Sequence, residues 1–324
     1  MLNQDIDYLN MDREQSRAWS ENIVNLLTEQ DEGSTKQAAI GINDYLRPSN
    51  YEKSFAAQIF TPGPFVEEER TLALDHDQPV CLIEIEPDSA GAEQVDFGDM
   101  AETFYPYGKR VPMTMRLLQT QRVTKNVIEL GAYRYNFRTV LTDLLSLRLA
   151  FLRDEGLMRA TNRCLSGHNV PLLYTGKPNT VTTGVAFSYG QFQRALNVMR
   201  SQPNAIEPAT MLYSHTMIAL MKDQWRIDFA GTTVAADMFR AGQSDLTMPG
   251  ENVKMISSIK QTLVPKNEFF FYGPENQTGK YIQMIEPTML VENRGLKVSF
   301  QLYEYLGILL INQAAISKST YNGT

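Results

Sequence analysis

The chain has 324 residues, enough to bury a large core in one to three domains. It is 43% hydrophobic and 21% charged with a net charge of −7, a balance that argues against a free-standing nucleic-acid binder built on a basic face. Two cysteines, Cys81 and Cys164, exclude a disulfide framework, and no run approaches the ~20 apolar residues that span a bilayer. With no apolar stretch of the secretory type near Met1, the expectation is a soluble product of a reducing, intracellular compartment.

Residues 1 to about 60 read as an extended, mostly polar arm with short helical pieces. In "REQSRAWSENIVNLLTEQ", Trp19, Ile23, Leu26 and Leu27 form a narrow apolar stripe at helical spacing, which "DEGSTK" then breaks. "TPGPF" (Thr61–Phe65) is a firm boundary, because two prolines around a glycine suit neither helix nor central strand.

Between Thr71 and Gly108 there is no Lys or Arg, while nine acids occur: Asp75, Asp77, Glu84, Glu86, Asp88, Glu93, Asp96, Asp99 and Glu102. From Lys109 to Arg159 ten bases, Lys109, Arg110 and Arg116 among them, face four acids. Within this region "CLIEIE" and "VPMTMRLL" alternate with period two around a Gly/Asp-rich middle, the pattern of a long hairpin.

The spacing predicts a helix from about Phe137 to Arg159, roughly 34 Å long. Phe137, Val140, Leu141, Leu144, Leu147, Phe151 and Leu152 share one face, with Thr142, Asp143, Ser146, Arg153 and Asp154 opposite. Arg148 and Glu155 fall on the apolar side. Either they snorkel or pair locally, or this face meets another subunit.

After Cys164 the chain turns β- and loop-rich. "SYGQFQRALNVMR" predicts a helix, with Ser188 and Gln191 spaced as a capping box and Phe192, Ala195, Leu196 and Met199 on one face. A short strand in "ATMLYS" is expected next, then a helix "HTMIALMKDQ" capped by Ser214. "KNEFFFYG", "KYIQMIEP" and "LKVSFQLYEYLGILL" read as closing strands. In the last of these, Val298, Phe300 and Leu302 alternate as in a half-buried strand, Leu306–Ile311 runs as one buried on both faces, and Asn312 begins a polar tail.

The pattern supplies no catalytic, cofactor or metal site. His76 sits in "DHD" without a second ligand cluster, His168 in a turn and His215 at a helix start. There is no GxSxG elbow, P-loop or GxGxxG, and Cys164 reads as a buried, inert thiol. A chain this long without a site points to a structural protein.

The order of these elements resembles the major capsid protein of tailed bacteriophages, of the Hong Kong 97 type. "VCLIEIEPDSAGAEQVDFGDM…GKRVPMTMRLLQTQRV" is similar to that family's extended loop. "YRYNFRTVLTDLLSLRLAFLRDEGLMRATNRCLSG" is similar to its spine helix. "SYGQFQRALNVMRSQPNAIEPATMLYSHTMIALMKDQ" resembles its axial domain, and the stretch from "FFFYGPENQTGKY" to "AISKSTY" its closing strands. The resemblance covers nearly the whole chain, on element order and diffuse pattern rather than a short motif.

It implies an α+β chain with an N-terminal arm (1–65), an extended β-hairpin loop with flanking strands (66–135) and a peripheral domain with spine helix (136–185). An axial domain (186–272) and return strands closing the peripheral domain (273–324) complete it. It also implies a structural protein, not an enzyme, assembling in the host cytoplasm into hexamers and pentamers of an icosahedral virion shell around double-stranded DNA, which it touches only locally. Portal and scaffolding proteins, and a decoration protein, are the implied partners; no membrane and no cofactor is implied. Glu84, Glu86, Asp96 and Asp99 on the hairpin, with Lys109, Arg110, Arg116, Arg148 and Glu155, are the expected contacts between copies. The short arm favours a separate scaffolding protein. The Lys–Asn cross-link of some relatives is not carried over, because Lys109 has no matched acid or Asn partner. An encapsulin-like nanocompartment shell and a metal-dependent enzyme using residues 71–102 stand as alternatives.

Overall fold

A computed structural model describes residues 12–29, 31–65, 80–85, 109–132, 143–167, 180–183, 189–201, 206–217 and 253–321. In chain order the elements are α1 (Arg13–Thr28), α2 (Glu32–Glu52), α3 (Phe55–Ile59), β1 (Gly63–Pro64), β2 (Val80–Ile85), β3 (Lys109–Thr114), β4 (Arg116–Gln119) and β5 (Val123–Asn126). Then follow α4 (Val127–Ala132), α5 (Asp143–Leu165), β6 (Thr180–Thr183), α6 (Tyr189–Arg200), β7 (Thr210–Ser214), β8 (Lys254–Ser258), β9 (Glu268–Tyr272), β10 (Gly279–Arg294), β11 (Lys297–Leu310) and β12 (Ile316–Tyr321).

The N-terminal segment is not an extended polar arm. Asp12 opens α1 with a reciprocal capping box: its Oδ1 accepts from Gln15 N at 2.7 Å, and Gln15 Oε1 accepts from Asp12 N at 3.3 Å. The expected stripe of α1 is buried at Trp19, Ile23 and Leu27, and α2 adds Ala38, Ile42, Tyr45 and Leu46. Both helices share a core with Leu145 and Leu149 of α5 and with Met289, Val298, Phe300 and Leu302 of β10 and β11. The arm reading failed because "GSTK" does not keep the chain out of helix; α2 begins just before that stretch, at Glu32.

Two five-stranded sheets carry the rest. The first has the order β1-β10-β11-β4, with β5 also paired to β11. Its centre is the long antiparallel hairpin β10–β11, paired from Gly279↔Leu310 to Arg294↔Lys297 with register shifts between Gln283 and Ile285 and between Ile285 and Thr288. The two-residue turn depends on Gly295, whose φ of +60° lies in the left-handed region. The strand expected in "KYIQMIEP" therefore runs on to Arg294. At the other end Gly279 lies against the partner strand so closely that a Cβ would stand 2.3 Å from Leu309 O. Gly279→Ala should destabilise the protein by about 1–3 kcal/mol by forcing the ladder apart, read as a lower urea midpoint at unchanged m value.

The second sheet has the order β6-β12-β9-β7-β8. Its strand β12 pairs in parallel with β6 and antiparallel with β9, and Ile316, Ser317, Ser319 and Tyr321 on it are buried. The polar tail expected after Asn312 is thus a central strand. Asn312 caps a 3₁₀ turn, Gln313–Ala315, by accepting from Ala314 N at 2.9 Å, and the chain then re-enters the fold. The short strand in "ATMLYS" and the buried face Ala195, Leu196 and Met199 of α6 stand where expected. Ser188 and the helix expected after Ser214 lie outside the described residues.

Helix α5 has 23 residues, the length expected, but runs Asp143–Leu165; the expected residues 137–142 lie outside the described residues. The face it buries is not the expected one. Leu145, Ser146, Leu149, Ala150, Arg153, Asp154, Leu157, Met158, Thr161 and Cys164 point inward, whereas Leu144 is 52% and Leu147 48% exposed. The helix carries two apolar stripes, and the inward one contains charges that have partners. Arg153 Nε and Nη2 donate to both carboxylate oxygens of Glu304 on β11, with both side chains fully buried. Asp154 accepts from Ser54 Oγ at 2.7 Å, from Ala56 N at 2.9 Å and from Lys260 Nζ. Two adjacent residues of α5 thereby fasten it to β11, to the start of α3 and to the turn after β8.

Candidate functional site

The hairpin is the first of the charged features. Strands β2 and β3 pair antiparallel, and their register sets Glu84 opposite Arg110 and Ile85 opposite Lys109, so the acid-to-base switch of the sequence falls across one strand pair. Alternation anchors its base: Cys81, Ile83, Met113 and Met115 are buried together with Ile282 and Ile311. Of the remaining expected contacts, Glu86, Asp96 and Asp99 lie outside the described residues.

At Met115 the chain leaves the hairpin and at Arg116 it joins the first sheet, where β4 pairs with β11. This places β3 beside the C-terminal half of α5, over β11. Between them lies an open groove of about 600 Å³, lined by Val111–Thr114 of β3, by Leu152, Gly156 and Ala160 of α5, and by Leu306–Leu310 of β11. The groove brings together Arg116 and Glu155, which are distant in sequence, and adds Arg159 and Arg163, which sequence reasoning did not single out. Glu155 pairs with Arg159 one turn along, at 2.5 Å, and not with Arg148. The recess therefore carries three guanidinium groups and one carboxylate, a cationic surface suited to acidic groups. Arg148 stands apart, exposed on the outer face of α5.

The chemistry available is recognition. Burial pushes the Cys164 thiol up to about 12, which keeps it a protonated, inert group at the floor of the groove. Burial pushes the Tyr213 phenol up to about 12 as well, and it raises that of Tyr272, which shares a hydrogen bond with Thr161 at 3.0 Å. His215 is exposed in the turn after β7. His76 and His168 lie outside the described residues, as do Asp75 and Asp77 of the metal alternative. Among the described residues no three His, Cys, Asp or Glu side chains converge to hold a metal ion, and no helix is long and apolar enough to cross a membrane.

The charges that sequence reasoning missed are the partly exposed Lys260 and three fully buried ones, Arg153, Asp154 and Glu304. Glu304 sits 151 residues from Arg153, and no local pattern announces such a pair.

No protein-family model and no curated sequence matches the chain. Solved structures do. The chain superimposes on a structure from Microbacterium phage Oxtober96 with a TM-score of 0.55 at 10% identity, over 83% of this chain and 91% of that one. It matches the asymmetric unit of the bacteriophage PhiM1 mature capsid with a TM-score of 0.52 at 9% identity, over 83% and 87%. The capsid structure of Cyanophage P-SCSP1u gives 0.51 at 10% identity, over 76% and 84%. With most of each chain matched at such low identity, the likeness is one of fold, and the chain has the Hong Kong 97-type fold of tailed-phage major capsid proteins.

Proposed function

We propose that this protein is the structural subunit of an icosahedral shell, the major capsid protein of a tailed phage, and that it forms hexamers and pentamers around double-stranded DNA. The observation that carries this reading is the fold likeness to phage capsid chains over most of both lengths. The site geometry agrees with it. A chain with an open cationic groove is equipped to bind other surfaces. Shells gain stability from many modest contacts closed on themselves by symmetry. In this reading scaffolding and portal proteins direct assembly, the virion is the destination, and a net charge of −7 keeps contacts with the enclosed DNA local.

Size-exclusion chromatography with light scattering tests the reading on the expressed protein, with a scaffolding protein co-expressed. Capsomer- or shell-sized species carrying nucleic acid are expected. Shells filled with protein cargo instead would favour the encapsulin-like alternative. The hairpin has its own test. Replacing Lys109 and Arg110 by Glu sets a second carboxylate opposite Glu84 across the β2–β3 pair. Assembly should then drop while the far-ultraviolet circular dichroism stays as in the wild type; normal assembly would remove the hairpin from the contact set.

A further inference from the structure

We propose that the outer face of α5 is a contact between two copies of this chain, which pair through it antiparallel about a two-fold axis passing between Phe151 and Leu152. The inference rests on the shell reading and names one of its contacts.

The first observation is the direction in which α5 faces. Its inward stripe is filled, yet Leu144 and Leu147 are about half exposed on the opposite side, with Phe151 half-buried between them and Glu155. Exposed leucines in line along one helix differ from the scattered apolar residues of an ordinary surface. The second observation is the charge on that stripe. Arg148 makes no ion pair with another described residue, and Glu155 is a half-buried carboxylate held only by a partly exposed partner, Arg159. Arg148 and Glu155 stand equally far, about 5 Å at 1.5 Å per residue, on either side of the Phe151–Leu152 midpoint.

An antiparallel pairing about that midpoint sets Arg148 of each copy level with Glu155 of the other, so the same charge pair forms twice. The other levels fit as well. Leu144 comes level with the aliphatic stem of Arg159, and the Phe151 of each copy lies next to the axis. The occupant is therefore a second copy, by self-complementarity of charge. A single helix pair is a small interface, effective when repeated across a closed lattice.

Charge swapping tests this. Arg148→Glu and Glu155→Arg should each lower the yield of shells at least about tenfold, by setting like charges opposite one another twice. The double variant Arg148→Glu/Glu155→Arg should recover most of that yield, and all three should keep the wild-type dichroism. A Phe151→Cys variant gives an independent reading, because Cys81 and Cys164 are both buried. Mild oxidation of its shells should give a disulfide-linked dimer. Single reversals without effect, a swap no better than either single, or oxidised shells that stay monomeric on a denaturing gel would each overturn the contact. If the wild type forms no shells at all, the shell reading fails. Oxidation of the Phe151→Cys variant in solution then still decides the helix pairing: a linked dimer supports it, and an unlinked monomer overturns it.

Discussion

Replacing Arg153 by Met should cost the fold about 3–5 kcal/mol, the penalty for leaving a buried carboxylate without its partner. Glu304 would be left fully buried, with Asp154 and its negative charge nearby. The double variant Arg153→Met/Glu304→Leu should recover most of the loss, since apolar side chains of similar volume fill such a site without the cost of dehydrating two ions. The pH dependence has a definite sign. Burial pushes the Glu304 carboxyl above its ordinary value, against the opposing pull of Arg153, and Asp154 is raised for the same reason despite Lys260. A carboxyl raised in the folded state supports the fold fully below its ordinary pKa and loses that support as the pH rises through the folded value. Removing the Arg153 pull raises Glu304 further. The urea midpoint of Arg153→Met should therefore fall more from near pH 5 to near pH 8 than that of the wild type. In the double variant, which lacks Glu304, the fall should be smaller than in Arg153→Met. A pH-independent deficit would show that the pair does not titrate as described.

Truncation before Gly307 should abolish folding, and with it any assembly. The segment removed supplies Leu310, Ile311 and Ile316, all buried, together with Ala314, Ala315 and Tyr321. It reaches three separate cores and includes β12, the strand that joins β6 to β9 in the second sheet. Burial of each large apolar side chain contributes about 1.5–3 kcal/mol. Together with the lost ladders, this is comparable to the whole stability of a domain, about 5–15 kcal/mol. The expected product is insoluble or shows no cooperative thermal transition. A folded, monomeric truncation would instead assign the C-terminal strands to assembly. Ile316→Asp is a milder probe at the same place, which should lower stability without removing chain.

Much of this fold was legible where one local rule sufficed. Alternation located β2, β3 and β11, an apolar run located β9, and the helical spacing of Trp19, Ile23 and Leu27 located the buried face of α1. The glycine turn of β10–β11 and the strand β12 were not read. The sequence "ISKSTY" alternates with serines and a lysine, and those serines are buried by partners from distant parts of the chain. The face of α5 was misread for a related reason. Leu144, Leu147 and Phe151 made the more conspicuous apolar stripe, whereas the inward stripe contains Arg153 and Asp154, whose partners Glu304 and Lys260 are supplied by tertiary structure. In the candidate site, the opposition of acidic hairpin and basic successor was visible as composition, and the pairing Glu84↔Arg110 followed once the register was known. That Arg116, Glu155, Arg159 and Arg163 would share one groove could not be read locally, because it depends on how β3 and β4 cross α5.

The leucines that mislead a helical wheel are the same ones exposed on the longest described helix. In a monomeric protein that exposure would be a liability; in a shell subunit it is a surface awaiting another copy. Whether the chain assembles is therefore the decisive question. The most direct measurement is electron microscopy of the purified protein, expressed alone and with a scaffolding protein. Closed icosahedral particles, or hexameric and pentameric capsomers, are the expected result. A uniform monomer or dimer under every condition would contradict the shell reading.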